Sequence, residues 1–199
     1  MVLLLLYSVS SEKLINHPVQ INLILILDFF KISANLKEIE RKGWMDKLGI
    51  TNPESVADHT FSMAIIGMVI SDLQKYDTEK ILKMILIHDL AESLTGDFTP
   101  EQKTKEEKII LENNVFEKIV INLPKKLKDQ YWELWVEYVK NESMEANFVH
   151  QIDKLEMALQ ANRYSKKNIP EKSLKPFFES AKNEIKNSNL LTLFNQLEK

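Results

Sequence analysis

Residues 81–97 read ILKMILIHDLAESLTGD, and the reading of this stretch decides the fold. Ile81, Leu82, Met84, Ile85, Leu86 and Ile87 are apolar almost all the way round a helix, which marks that helix as buried. Out of the apolar run come His88, Asp89 and Glu92. Burying an unpaired carboxylate is expensive, so such groups come with a cation, a hydrogen-bond donor or a shifted pKa. A divalent metal would satisfy all three polar heads at once. By itself the dipeptide favours a plainer reading, a buried His–Asp pair that only ties helices together, and the rest of the chain has to overturn it.

The chain has 199 residues, 44% of them hydrophobic, with four glycines and six prolines. That suffices for one well-cored domain and is short for two. So little Gly and Pro among long runs of Leu, Ile, Lys and Glu predicts an all-α protein, helices joined by short loops. A net charge of −3 gives no electrostatic case for a nucleic-acid polymer as partner. No cysteine is present, which excludes disulfides, thiolate metal sites and cysteine nucleophiles. Any metal must therefore sit on His and carboxylate ligands, as Mn, Co, Fe, Ni, Zn or Mg can. Met1 to Leu6 is apolar but lacks a basic leader, and Gln20, Asn22 and Asp28 interrupt the next apolar run. A soluble, cytoplasmic protein with no membrane partner is expected, in which residues 1–22 form an N-terminal extension and residues 23–199 the domain.

Outward from the central stretch, helices are expected one after another. The first starts near Leu23 and presents Leu23, Leu27, Phe30 and Ala34 on one face. It gives way at Arg41-Lys42-Gly43-Trp44. Thr51-Asn52-Pro53-Glu54 reads as the next start, with Asn52 as N-cap and Pro53 in the first turn. Phe61, Ala64, Ile65, Met68, Val69 and Leu73 are the expected apolar face of that helix. Asp77 or Thr78 caps the helix of His88, which is expected to end near Gly96. Thr99 and Gln102 are spaced as a capping box for the following one. The charged run from Lys103 to Lys108 reads as a solvated face without chemistry. Leu127, Tyr131, Leu134, Trp135 and Tyr138 share a face, Ser143 caps a helix striped with Phe148, Ile152, Leu155 and Leu159, and two shorter helices close the chain.

Four histidines exist, so each can be weighed. His17 sits beside Pro18 and reads as a surface residue. His59 follows Asp58 early in a helix and alone would be a satisfied core or cap histidine. His150 and Asp153 share a helical face, and Asp153 interrupts the core stripe between Ile152 and Leu155. Pairing with Lys154 would satisfy that carboxylate as well as a metal would. Taken together, His59, His88-Asp89 and Asp153 lie on three different expected helices. Two imidazoles and two carboxylates can hold one divalent cation and leave positions open for water and substrate.

The order H…HD…D resembles the HD-domain metal-dependent phosphohydrolases, an all-helical family. Pro53 to His59 (PESVADH), His88 to Glu92 (HDLAE) and Thr95 to Asp97 (TGD) are similar to its 5′-deoxynucleotidase subgroup. The resemblance covers residues 23–163 and implies a single compact HD-domain helical bundle. It implies His59, His88, Asp89 and Asp153 as ligands of one divalent metal, Glu92 and Asp97 as catalytic carboxylates, and a homodimer. It also places substrate phosphate near Arg41 and Trp44, with Asp97 among the substrate contacts. Lys42 could take the place of Arg41, because relatives can carry the arginine directly beside the tryptophan. His150 matches no ligand position, and a mononuclear site is expected.

The chemistry follows from the residue types. A divalent cation lowers the pKa of its water and polarises a phosphoryl oxygen. A nearby carboxylate can orient or deprotonate that water, and a second can protonate the leaving oxygen. Arg41 or Lys42 would hold the phosphate. Trp44 could stack on a base or sugar, or equally be a core residue. The expected activity is hydrolysis of small nucleotide substrates, (deoxy)nucleoside 5′-monophosphates, to nucleoside and phosphate. Another small phosphate ester, a pyrophosphorylated nucleotide, or a non-catalytic nucleotide-binding scaffold remain alternatives.

Overall fold

The computed structural model describes residues 18–167 and 169–197, and among these every regular element is a helix. They are α1 (Pro18–Ala34), a 3-10 turn (Asn35–Lys37), α2 (Lys42–Leu48), α3 (Val56–Gln74), α4 (Thr78–Ile87), α5 (Glu92–Thr95), α6 (Lys105–Val120), α7 (Lys125–Lys140), α8 (Met144–Ser165), α9 (Glu171–Glu184) and α10 (Ser188–Leu197). The all-α expectation therefore holds. α1 begins inside the stretch set apart as an N-terminal extension. His17 and the apolar Met1 to Leu6 lie outside the described residues.

α3, α4 and α8 pack against one another, and α7, α9 and α10 lean on α8 or α4. Their shared core contains Met63, Ile70, Ile81, Met84, Ile85, Trp135, Phe148 and Ile152. α3 crosses α4 closely at Gly67, where an added Cβ would stand 2.4 Å from the Ile85 side chain. A smaller cluster of Trp44, Ala161, Tyr164, Leu174 and Phe177 fastens α2 to α8 and α9.

α1 starts five residues earlier than expected, α2 occupies the stretch read as a break, and three further helix boundaries differ for local reasons. α3 is capped by Ser55, not Asn52. The Ser55 hydroxyl accepts from the Asp58 N–H at 3.1 Å, and Asp58 accepts from the Ser55 N–H at 3.0 Å. That reciprocal pair satisfies two orphan donors where Asn52 could satisfy one. α4 stops at Ile87, because the His88 ring takes the Ile85 carbonyl at 2.7 Å, the acceptor a continuing helix would give to Asp89. The chain tightens through i→i+3 bonds before the single turn of α5. Thr99 and Gln102 do form their box-like turn. α6 nevertheless starts on a second box, Thr104 with Glu107, whose carboxylate also suits the positive helix end.

The larger difference is one of faces. Phe61, Ile65, Met68, Val69 and Leu73 of α3 point outward, as do Leu23, Leu27 and Phe30 of α1. What α3 buries is Val56, His59, Thr60, Met63, Gly67, Ile70 and Ser71. By length and composition alone α3 could cross a membrane; one face of it packs on α4 and α8 and carries the buried His59.

Candidate active site

Both site imidazoles have one ring nitrogen engaged and the other free. His88 lies at the C-terminal end of α4, its Nδ1 donating to the Ile85 carbonyl. His59 stands in the first turn of α3, with Nδ1 2.6 Å from Glu156 Oε2 on α8. The two Nε2 atoms are buried and lack a hydrogen-bond partner. Each sits beside a carboxylate oxygen, His59 Nε2 3.2 Å from Asp153 Oδ1 and His88 Nε2 3.0 Å from Asp89 Oδ2. The rings are 5.6 Å apart, and His59, His88 and Asp89 offer ligand atoms within 4.8 Å of one another.

Orphaned buried imidazole nitrogens facing carboxylates fit a divalent cation, since two Nε2 lone pairs and two anionic oxygens match its preferred donors. Glu54, His59 and Glu156 form a second group of possible ligands. That group fits poorly. The Glu156 oxygen and His59 Nδ1 are already engaged with each other at 2.6 Å, the length of a charge-assisted hydrogen bond, which leaves Nδ1 without a lone pair for an ion.

The carboxylates around this centre are tuned in opposite directions. Burial works against ionising Asp89, yet the adjacent His88, with Lys108 and Arg41, holds it far below the usual carboxylate range. Asp153 is likewise held well below its ordinary value against burial, by Lys154 and then His59. Glu92 is pushed well above its ordinary value, first by burial and next by the charge of Asp89. For His59, burial and Arg41 oppose a charge, but the carboxylates of Asp153 and Glu156 beside its two ring nitrogens win and raise it to about 9.

Arg41 reaches this centre from the turn before α2. An antiparallel contact of Glu40 with Ser55, together with the Arg41 N–H donating to the Glu54 carbonyl, lays its segment along the start of α3. The guanidinium lies 3.4 Å from Asp89 Oδ2, and Arg41 lines the pocket while Lys42 does not. Asp97, in the loop after Gly96 (φ +77°), accepts from the Lys42 N–H at 2.7 Å and so ties that loop to the start of α2. Trp44 borders the pocket but is 2% exposed, with Phe177 stacked on it at 4.4 Å and Tyr164 edge-on at 5.2 Å. Its indole N–H donates to Glu54. The whole surrounds a pocket of about 320 Å³ that runs from His88, Asp89 and Asp153 to Phe98 and Phe177.

Of the eight residues picked from sequence, Arg41, Trp44, His88, Asp89, Asp97 and Asp153 line this pocket, while His59 and Glu92 lie behind it against Asp153 and Lys108. Three contributors were missed. Lys108, from the run read as a solvated face, places its ammonium 2.8 Å from Glu92 and 3.4 Å from Glu112. Its i,i+4 spacing to Glu112 was the only available signal. Glu156 shares a face with Asp153 at i,i+3, a carboxylate in a core stripe that the same argument used for Asp153 would have found. Tyr138 borders the pocket and stacks on His150 at 4.2 Å; it had been read only as packing. His150 is engaged elsewhere, its Nε2 donating to the Tyr138 carbonyl. The alternative pairing of Asp153 with Lys154 is present too, at 3.2 Å, and leaves the other carboxylate oxygen beside His59.

The model of the HD domain family matches residues 33–192. The chain is 41% identical to a 5′-deoxynucleotidase of Dictyostelium discoideum over 86% of its own length and 96% of that protein. It is 34% identical to the human 5′-deoxynucleotidase of the same name, covering 96% of this chain and 91% of that one. Among solved structures, the PH0347 protein of Pyrococcus horikoshii superposes with a TM-score of 0.71 at 34% identity, over 86% of this chain and 97% of that one.

Proposed function

This chain belongs to the HD-domain family, and from that premise we propose that it is a metal-dependent phosphohydrolase that releases phosphate from (deoxy)nucleoside 5′-monophosphates. One observation carries the reading: Arg41, Asp89, Asp153 and the orphaned His88 Nε2 line a single pocket, with the orphaned His59 Nε2 beside Asp153 and the buried Glu92 on the pocket's Lys108. Family membership implies a divalent metal, and His59, His88, Asp89 and Asp153 are its proposed ligands. When bound, such a cation supplies a Lewis acid for the phosphoryl group and makes water a better nucleophile.

The chain's own residues do the rest. Arg41 presents a planar set of donors to the phosphate oxygens and is held in place by Asp89. Water oxygen attacks phosphorus, the P–O5′ bond breaks, and the O5′ of the nucleoside must gain a proton. Glu92 keeps one oxygen on Lys108 and the other without a partner, so it can exchange a proton with the water or with O5′. Asp97 is the second proposed catalytic carboxylate, and through Lys42 it also fixes the segment that carries Arg41. A scaffold would need the ligands but not a buried Glu92 held on a lysine. Trp44 stays in the reading as a wall residue held by Phe177, with its ring faces already taken.

A phosphate clamp sees only the 5′ end, so sugar selection belongs to what packs against C2′. The wall from Asp97 to Pro100, beside Trp44, is the proposed surface. Leaving one hydroxyl buried without a partner costs about 1–3 kcal/mol, or roughly 5- to 150-fold in kcat/KM. Phosphate release should be followed on paired deoxy- and ribonucleoside monophosphates after chelation and with each divalent metal restored. Metal-dependent release that favours the deoxy member is expected. Release unaffected by chelation would sink the metal reading, and equal kcat/KM for dAMP and AMP would leave a nucleotidase without the deoxy preference.

A second copy of the chain is the proposed partner. Its support is the apolar groove between α1, α3 and α4, lined by Phe30, Phe61 and Leu86, because a two-fold interface sets one patch against itself. Sedimentation should show a dimer that Phe61→Lys dissociates.

A further inference from the structure

Glu156 is the best-placed group that the reaction above does not use. It lies one turn beyond Asp153 on α8, is 2% exposed, and directs Oε2 at His59 Nδ1 across 2.6 Å. An imidazole that donates through Nδ1 keeps its Nε2 lone pair for a ligand bond, and the partner also fixes the plane of the ring. His88 obtains the same service from a backbone carbonyl of its own helix. His59 has no such neighbour on α3 and depends on a side chain 97 positions away.

We propose that Glu156 is a positioning residue of the metal centre, holding His59 as its Nδ1–H tautomer with Nε2 aimed between Asp153 and the His88–Asp89 pair. The proposal rests on the reading of His59 as a ligand and goes further, because it makes one face of α8 supply both a ligand, Asp153, and the orienting carboxylate for a ligand on α3. It also gives the enclosed carboxylate an occupation other than coordination. Glu54, with a carboxylate oxygen within 4.8 Å of the same atoms, accepts from Trp44 and stands between this pair and the pocket wall.

The test uses Zn²⁺ alone as probe, on metal-stripped wild type, Glu156→Gln, Glu156→Leu and His59→Ala, with affinity read by chelator competition. The His59 Nδ1–H proton is followed by nitrogen-correlated NMR of the zinc-loaded proteins. Glu156→Leu should bind Zn²⁺ about 10- to 100-fold more weakly and lose the Nδ1–H signal to exchange. Glu156→Gln keeps an oxygen that accepts from Nδ1, so it should recover most of the affinity and retain the signal at a shifted position. Wild-type affinity in Glu156→Leu while His59→Ala is impaired would overturn the proposal. Should the leucine variant fail to fold, an unshifted Nδ1–H signal in Glu156→Gln would overturn it as well. Unimpaired Zn²⁺ binding by His59→Ala would instead remove His59 from the ligand set, which is a failure of the underlying reading.

Discussion

The two halves of the site are built in opposite ways. His88, Asp89 and Glu92 come from one short stretch, where α4 breaks into a tight turn and the ring of His88 is fixed by a carbonyl three residues back. Arg41, His59 and Asp153 come from the turn before α2, from α3 and from α8, and are oriented by groups far away in sequence. The first half is geometry written into local backbone. The second exists only when the bundle has closed. Local geometry survives many packing changes, whereas an assembled half inherits every error in how helices meet.

The largest effect should come from cutting the assembled half at its ligand. Asp153→Ala is expected to lose the tightly held divalent ion and all phosphate release, to the same degree as Asp89→Ala from the local half. Elemental analysis of the purified variants decides it. Full metal content in Asp153→Ala would mean that the local half binds alone and that Asp153 serves only Lys154 and His59.

Next in size is the local half's own chemistry. Glu92→Ala should keep metal and fold while kcat falls by roughly 10²–10⁴, the usual loss for a proton-transfer group. Near-normal turnover would return the protein to the scaffold alternative.

This division also explains what could be read from sequence. The local half was legible because a carboxylate and an imidazole emerging from an apolar helix are anomalous on their face. Asp153 stood out as a carboxylate in a core stripe, but its role, like that of His59, became legible only through the H…HD…D order. Glu156 was open to the argument applied to Asp153, a carboxylate in a core stripe, whereas Lys108 and Tyr138 were missed since their roles depend on which helices meet. The faces of α1 and α3 failed for a related reason. The inner face of α3 is crowded with small and polar residues, His59, Thr60, Gly67 and Ser71, because it carries the site and a close crossing with α4. Phe61, Ile65 and Leu73 were left outside, and hydrophobic periodicity alone assigns such residues to the core.

A third effect sharpens the role of α6 in supporting the local half. Glu112, mostly buried and 3.4 Å from Lys108, has its carboxyl pushed up to about 7, chiefly by burial. A carboxyl whose folded pKa lies above its unfolded value of 4.5 stabilises the fold at low pH, and that contribution is lost as pH rises through about 7. Between about pH 5 and 8, metal-free wild type should therefore lose stability relative to Glu112→Gln, by at most roughly 3 kcal/mol. Urea midpoints across that range provide the measurement. Parallel pH profiles for the two proteins would show that Glu112 ionises in the fold as it does in the open chain.

The smallest effect is the most informative about how the assembled half is held. Ser55 caps α3 four residues before His59, through its reciprocal bonds with Asp58. Removing an N-cap hydroxyl costs about 1 kcal/mol, which for a chain of this size is a fall in Tm of roughly 2–4 °C. If His59 were placed mainly by where its helix begins, the frayed first turn of Ser55→Ala would loosen the ring and weaken metal binding along with the fold. The geometry argues otherwise. His59 is fully buried, with Nδ1 on Glu156 and Nε2 beside Asp153, and its own N–H is bonded to the Ser55 carbonyl, which the substitution leaves in place. Ser55→Ala should therefore melt a few degrees lower while its Zn²⁺ affinity and kcat stay within about twofold of wild type, the additivity expected of a cap with no shared partner at the site. A loss of affinity comparable to that of Glu156→Leu would show that the start of α3, and not the face of α8, sets the histidine, and would make both halves of the site local.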